Sequence, residues 1–176
     1  HLSQLESRLD AIGETMRGAE AVVAVSMENL QLLQTVFGLA GSRSGVIYNG
    51  RPQYWFEQTA VDRRDEFRAA WGITPKDVVC LTVARYEPRK GYRYLLEAAS
   101  ALTKCGLPNG RLLFVWIGHH QDGAAEQLVA EVVSRDLSCN VLVLGERRDV
   151  RDWLAASDIF LLSYESEGMP LCIIEA

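Results

Sequence analysis

The sequence predicts a doubly wound α/β fold built on a parallel sheet, and three observations carry that prediction. From residue 78 onward, apolar strands and amphipathic helices alternate four times. The strands are continuous apolar runs, as in a parallel sheet covered on both faces. Each run ends in a loop rich in Gly and charged residues, which suits the ligand-binding edge of an open α/β sheet.

The elements follow in order. Leu2, Leu5, Leu9, Ile12 and Met16 recur every three or four positions, so residues 2–17 read as a helix. Ala21–Val25 reads as a short buried strand. Ser26 then caps a helix running to about Phe37, with Leu30, Leu33, Val36 and Phe37 on one face. After a loop from Gly38 to Gly45, Val46–Tyr48 forms a strand broken by the turn pair Asn49-Gly50. Residues 51–60 have no period and read as a connector, and residues 62–71 as a helix ended by Gly72. The four β-α units are strand 78–84 with helix 91–105, strand 112–117 with helix 124–136, strand 140–144 with helix 150–156, and strand 158–163 with a last helix. That helix begins near Pro170, whose preset φ and missing N–H suit a helix start.

Strand 21–25 stands outside this alternation and is expected in another sheet. Two parts follow: residues 1–44, the last segment of an upstream domain with its connection, and residues 45–176, a ligand-binding domain. With no initiator Met and a last helix cut short, the chain is expected to be a piece of a longer protein, truncated at its carboxyl end.

At 176 residues, 48% hydrophobic and 23% charged, the composition is that of a soluble globular protein. A net charge of −5 with no basic stripe excludes a nucleic-acid footprint. No apolar run reaches the ~18 residues of a membrane span, and the start is not a signal peptide. Cys80, Cys105, Cys139 and Cys172 form no C-x-x-C pair and read as small buried side chains in a reducing compartment. His119-His120 lack the spacing of metal ligands, so no metal is expected. Neither a dinucleotide-binding nor a P-loop glycine motif is present, and no Asp-x-Asp pair offers to hold a divalent ion.

Chemistry is then expected in four loops. Arg85-Tyr-Glu-Pro-Arg-Lys90-Gly91 sets two cations around a helix N-terminus, where free N–H groups and the dipole suit a diphosphate. Gly91 lets the backbone come close, although Glu87 and Arg89 also allow a solvated charged turn. Gly118 opens the second loop, in which His119 either faces the ligand or is idle. The third, Gly145–Asp149, either borders a nucleotide base through Glu146 and Arg147 or is a surface turn. In the fourth, Glu167-Gly168-Met169-Pro170, the amides of Gly168 and Met169 suit a phosphate or sugar hydroxyl. Glu175, inside the last helix, suits a ribose diol. Acids gathered at a helix start for the dipole account for Glu165 and Glu167 but less well for Glu175. The loops fit a metal-independent site for a nucleotide diphosphate with no cofactor.

Four motifs in order resemble the retaining glycosyltransferases of the GT-B fold, in the group-1 (family four) class. They are Ala21-Val-Val-Ala-Val-Ser26, Val46-Ile-Tyr-Asn-Gly50 followed by Phe56, Val83-Ala-Arg85-x4-Lys90-Gly91, and Glu167-x7-Glu175. The resemblance implies a Rossmann-like half of that fold and a hexosyltransferase-like enzyme using a nucleotide-sugar donor. Arg85 and Lys90 would then grip the diphosphate, Glu167 the donor sugar, and Glu175 the ribose, with Glu146–Arg147 near the base. The leaving phosphate would help deprotonate the acceptor, so no protein nucleophile is needed. His119-His120 depart from the second Gly or acid more usual after Gly118. The family's acceptor domain, with its glycine loop and histidine, is missing. The expected protein is therefore cytoplasmic, with any membrane contact made by that domain. The chain alone is expected to bind nucleotide weakly and transfer no sugar. A non-catalytic nucleotide-sugar module, or a GT-B epimerase or phosphorylase, are the alternatives; the sugar, base and acceptor stay open.

Overall fold

The computed structural model describes residues 2–39, 43–57, 63–119, 123–164 and 167–176. The chain divides into two compact units, His1–Gly50 with Glu167–Leu171, and Arg51–Ser166 with Cys172–Ala176.

The first unit holds helix α1 (Leu2–Gly18), strand β1 (Val22–Ala24), helix α2 (Met27–Phe37) and strand β2 (Ser44–Val46). Ser26 caps α2 as its sequence predicts, its Oγ accepting from the Asn29 amide at 3.1 Å. Gly38 ends the helix at φ 64, a left-handed conformation that favours glycine. β1 and β2 form a two-stranded parallel sheet of their own. The strand expected at 46–48 thus forms two residues earlier, because pairing with β1 fixes it. Ile47 makes the last link, donating to the Ala24 carbonyl at 3.0 Å, and Tyr48 is exposed.

The second unit begins with a short 3-10 turn (Gln53–Phe56) and helix α3 (Arg64–Ala70); residue 62, expected in this helix, lies outside the described residues. Then follow β3 (Val78–Val83), α4 (Tyr92–Cys105), β4 (Leu112–Ile117), α5 (Ala124–Ser134), β5 (Val141–Gly145), α6 (Val150–Ala156), β6 (Ile159–Phe160) and α7 (Leu171–Glu175). The four strands are parallel, in the order β5-β4-β3-β6. The chain therefore winds outward from β3 to β5, then crosses back to place β6 on the other side of β3. That reversal is a topological switch point, and it lies between β3 and β6.

Strand alternation explains the two cores. Phe114 and Trp116 of β4 point into one layer with Leu95, Leu96 and Ala99 of α4 and Leu128 and Val132 of α5. Leu113, Val115 and Ile117 point into the other, with Val79, Leu81 and Trp153. Each Leu, Val, Ile or Phe so buried contributes about 1.5–3 kcal/mol. Trp153 is packed edge-on to Phe67, with centroids 5.1 Å apart, which holds α3 against α6.

Several elements are shorter than their sequence suggests, β6 and α5 among them. β6 pairs only at Ile159–Phe160 rather than across 158–163, and its ladder with β3 ends at the bond from Leu161 N to Leu81 O, 2.8 Å. α5 stops at Ser134 instead of 136, because Asp136 turns to φ 58. Of the cysteines, Cys80 is buried, and burial, with the Asp158 charge adding, pushes its thiol up to about 11. Cys105 and Cys139 are exposed, so the buried reading does not hold for them. Among the described residues, no helix is long and apolar enough to cross a membrane.

The amino end of the sheet is closed by charge. Arg68 of α3, 5% exposed, donates to the carbonyls of Ala156 (2.8 Å), Thr74 (2.9 Å) and Asp77 (2.6 Å) and to the Asp158 carboxylate (3.1 Å). Asp158 also accepts from the Val79 amide at 2.8 Å. Asp77 accepts from the amides of Thr74 (2.8 Å) and Arg111 (2.9 Å).

Candidate functional site

The carboxyl end of β3 leads into the turn that the sequence singles out. Pro88–Lys90 forms a single 3-10 turn, closed by the Gly91 N–H donating to the Pro88 carbonyl at 3.1 Å. Gly91 then starts α4 at φ 74. A Cβ here would lie 2.1 Å from the Ser163 carbonyl oxygen, so only glycine fits. Ser163, beyond β6, also donates from its Oγ to the Lys90 carbonyl at 3.0 Å. The two loops that flank the switch point therefore meet backbone to backbone. α4 has no side-chain cap and no acid in its first turn. Its N-terminus is the positive end of a 14-residue helix, suited to an anion.

The charges around this end are arranged unequally. Arg85 is 57% exposed and pairs with Glu87 at 2.7 Å; Glu87 also accepts from Arg89 at 2.8 Å. The Arg89 hydrogen bond, helped by the nearby cations, holds the Glu87 carboxyl below its ordinary range. Lys90 is buried, with its Nζ 4.0 Å from the centroid of the Tyr164 ring, a cation–π contact.

The ends of β4 and β5 are tied to the same turn by a residue that the motif reading passes over. The Tyr86 amide donates to the His119 carbonyl at 3.0 Å. Its hydroxyl donates to the Trp116 carbonyl at 2.8 Å and accepts from the Gly145 amide at 3.1 Å. Burial, opposed by the backbone hydrogen bonds at Gly145 and Leu144, pushes the phenol up to about 12. Tyr92 meets it edge-on at 5.0 Å and donates to the Ala84 carbonyl at 2.7 Å. Gly118 is needed beside them, since a Cβ there would lie 1.7 Å from the Ala84 oxygen. His119 and Glu146 face each other across the ends of β4 and β5, 3.1 Å apart.

Other expected site residues are engaged elsewhere. Arg147 makes a two-pronged pair with Asp149 (2.9 and 2.6 Å) and lies 5.4 Å above the Trp71 ring. That hydrogen bond raises the Arg147 pKa and lowers that of Asp149. The Glu175 carboxylate pairs with Arg51, whose guanidinium lies 5.1 Å from the Trp55 ring. Glu167, Gly168, Met169 and Pro170 belong to the first unit. There a Cβ on Gly168 would fall 2.2 Å from Asn29 Nδ2, and the Met169 carbonyl accepts from Asn49 Nδ2 at 2.8 Å. His120 and Glu165 lie outside the described residues.

Arg85, Lys90, Gly91, Gly118, His119 and Glu146 are thus gathered at the carboxyl ends of β3, β4 and β5. A groove of about 640 Å³ opens on the outer side of the same turn, between α4 and α5. Two of its cations are paired, Arg89 by Glu87 and Arg135 by Glu97 at 2.9 Å, while Arg93 lies 5.4 Å from the Tyr94 ring.

Known proteins agree with this architecture. The chain is 30% identical over 118 residues to a UDP-Gal:alpha-D-GlcNAc-diphosphoundecaprenol alpha-1,3-galactosyltransferase of Escherichia coli, covering 66% of this chain and 30% of that protein. It is 29% identical over 113 residues to the putative glycosyltransferase EpsF of Bacillus subtilis, covering 64% and 28%. Among solved structures, Anabaena HepE in complex with UDP and glucose superposes with a TM-score of 0.76 at 23% identity, over 96% of this chain and 45% of that one. Sucrose-phosphate synthase from Thermosynechococcus elongatus gives 0.78 at 20% identity, over 97% and 41%. The chain therefore spans less than half the length of these relatives. The family model described as glycosyl transferases group 1 matches residues 77–176, more than half of the chain. This chain belongs to the group 1 glycosyltransferases, and its second unit is the Rossmann-like half of their GT-B fold.

Proposed function

We propose that this chain is the donor-binding part of a retaining glycosyltransferase that takes a sugar from a UDP-sugar. The observation that carries the reading is the uncapped N-terminus of α4 at the switch point, with Arg85 and Lys90 beside it. UDP is favoured among nucleotides because two relatives carry it in their names, one as a UDP-galactose enzyme and one as a UDP complex.

In this reading the donor diphosphate lies against the first turn of α4, and Arg85 turns from Glu87 to a phosphate oxygen. Lys90 and the helix end then neutralise charge that grows as the bond from the anomeric carbon to the diphosphate breaks. The acceptor oxygen forms its bond on the same face, and its proton passes to the leaving phosphate. No protein nucleophile takes part. The resemblance implies that Glu167, Gly168 and Met169 meet the donor sugar, and Glu175 exchanges Arg51 for the ribose. Glu146 borders the base, as the resemblance implies. Charge neutralisation by Arg85, Lys90 and α4 makes transfer metal-independent, so the full-length enzyme keeps its rate in a chelator. The acceptor is bound by residues outside this chain, and the chain alone turns over no donor.

Calorimetry and thermal shift with UDP, GDP and ADP test the reading. A ligand that binds only the folded state stabilises it by RT ln(1 + [L]/Kd). The expected result is a shift with UDP that shrinks in Arg85→Ala. A folded chain that responds to none of the three, alone or in the full-length protein, overturns the proposal.

A further inference from the structure

We propose that Tyr86 is a positioning residue whose hydroxyl, wedged into the β4–β5 ladder, sets the loop that selects the donor's base. This rests on the donor-binding reading above. The ladder between β4 and β5 is regular up to Trp116, which faces Val143, but Ile117 faces Gly145. Leu144 is thus an extra residue on β5, a bulge of the kind that re-aims side chains beside active sites.

The bulge occurs where a side chain enters the ladder. Its backbone donor, the Gly145 amide, gives its hydrogen to the Tyr86 oxygen, and the Tyr86 hydroxyl passes its own to the Trp116 carbonyl. A phenol therefore stands where a strand-to-strand hydrogen bond would close the gap. Just past the wedge the strands meet again, through the Gly118 amide donating to the Gly145 carbonyl at 2.9 Å. The residue that follows β5 is Glu146, and it faces His119. Gly145 leaves the ladder at φ 67, so the bond from its amide to Tyr86 fixes where the chain turns toward Glu146. Tyr86 directly follows Arg85, so one residue ties the phosphate turn to the loop beyond β5.

The division of labour predicts a selective defect. Tyr86→Phe leaves Arg85, Lys90 and the α4 N-terminus in place but frees Gly145 and Glu146. The full chain is titrated with UDP, GDP and pyrophosphate, alongside Thr82→Val as a control. That control also loses a buried hydroxyl, one that donates to the Leu161 carbonyl at 3.1 Å on the β6 side of β3 and takes no part in the β4–β5 bonds. Tyr86→Phe is expected to weaken UDP by about tenfold and to narrow its preference over GDP, the scale of one unsatisfied buried group. Pyrophosphate should stay within about twofold, and the Gly145 amide should exchange faster with solvent. Thr82→Val should keep the wild-type preference. Equal weakening of UDP and pyrophosphate in Tyr86→Phe, or no change in either, overturns the positioning role while leaving the donor site standing. A wild-type chain that binds neither ligand removes the donor site and this role with it.

Discussion

The two ends of the four-stranded sheet use the same residue types to opposite ends. At the amino end, Arg68 has four acceptors, and Asp77 and Asp158 each take amide and guanidinium donors; the network is closed on itself. At the carboxyl end, Arg85 is exposed and the first turn of α4 has no cap. Charge that is fully satisfied within the fold fixes strands, whereas charge left facing solvent can be satisfied by a ligand. Catalytic ends of α/β sheets therefore give up hydrogen bonds that the opposite ends keep.

This contrast can be broken most strongly from below. Arg68→Ala takes a donor from the Ala156, Thr74 and Asp77 carbonyls and leaves Arg64 as the guanidinium on Asp158, so the chain is expected to lose about 3–5 kcal/mol in urea unfolding. A loss of less than about 1 kcal/mol would mean that water replaces the guanidinium. Next is Gly91→Ala at the top. The left-handed φ and the clash with Ser163 should cost about 1–3 kcal/mol and abolish the response to UDP.

A smaller effect comes with acid. Burial alone would raise the carboxyls of Asp77 and Asp158. The amides of Thr74 and Arg111 at the first, and that of Val79 with the charge of Arg68 at the second, outweigh it and hold both below the ordinary range. A folded pKa depressed in this way contributes stability that is complete above the unfolded value of about 3.9. That contribution is lost as pH falls through the folded value, so melting temperature should drop below about pH 4. Asp158→Asn should flatten this acid limb in circular dichroism melts. The smallest effect on stability belongs to Arg85→Ala, within about 0.5 kcal/mol because the pair with Glu87 is exposed. Its loss of UDP affinity should nonetheless reach about tenfold, one charge-assisted contact.

What sequence alone conveyed follows the same physics. Residues 112–117 form a strand with the predicted ends, because six apolar residues stand between Arg111 and Gly118. Helix 150–156 was equally legible. β2 and β6 were misplaced because each is short and its extent is set by a partner strand, 22 residues away in the register of Val22 with Ser44 and 79 in that of Cys80 with Ile159. The Arg85–Gly91 turn could be read, since cations around a glycine at a helix start form a local pattern. Tyr86 could not, because its hydroxyl meets residues 30 and 59 positions on. Nor could the tie between Arg51 and Glu175, 124 positions apart.

The two apolar layers also carry built-in optical labels. Trp116 and Trp153 are both 0% exposed, on opposite faces of the sheet, and neither indole N–H has a hydrogen-bond partner among the described residues. Indoles sealed in hydrocarbon fluoresce toward the blue and redden when water reaches them. A version of the chain that keeps Trp116 alone would report the α4–α5 layer, and one that keeps Trp153 alone the α3–α6 layer. The emission of the pair would thus reveal whether the two faces of the sheet come apart together or in turn.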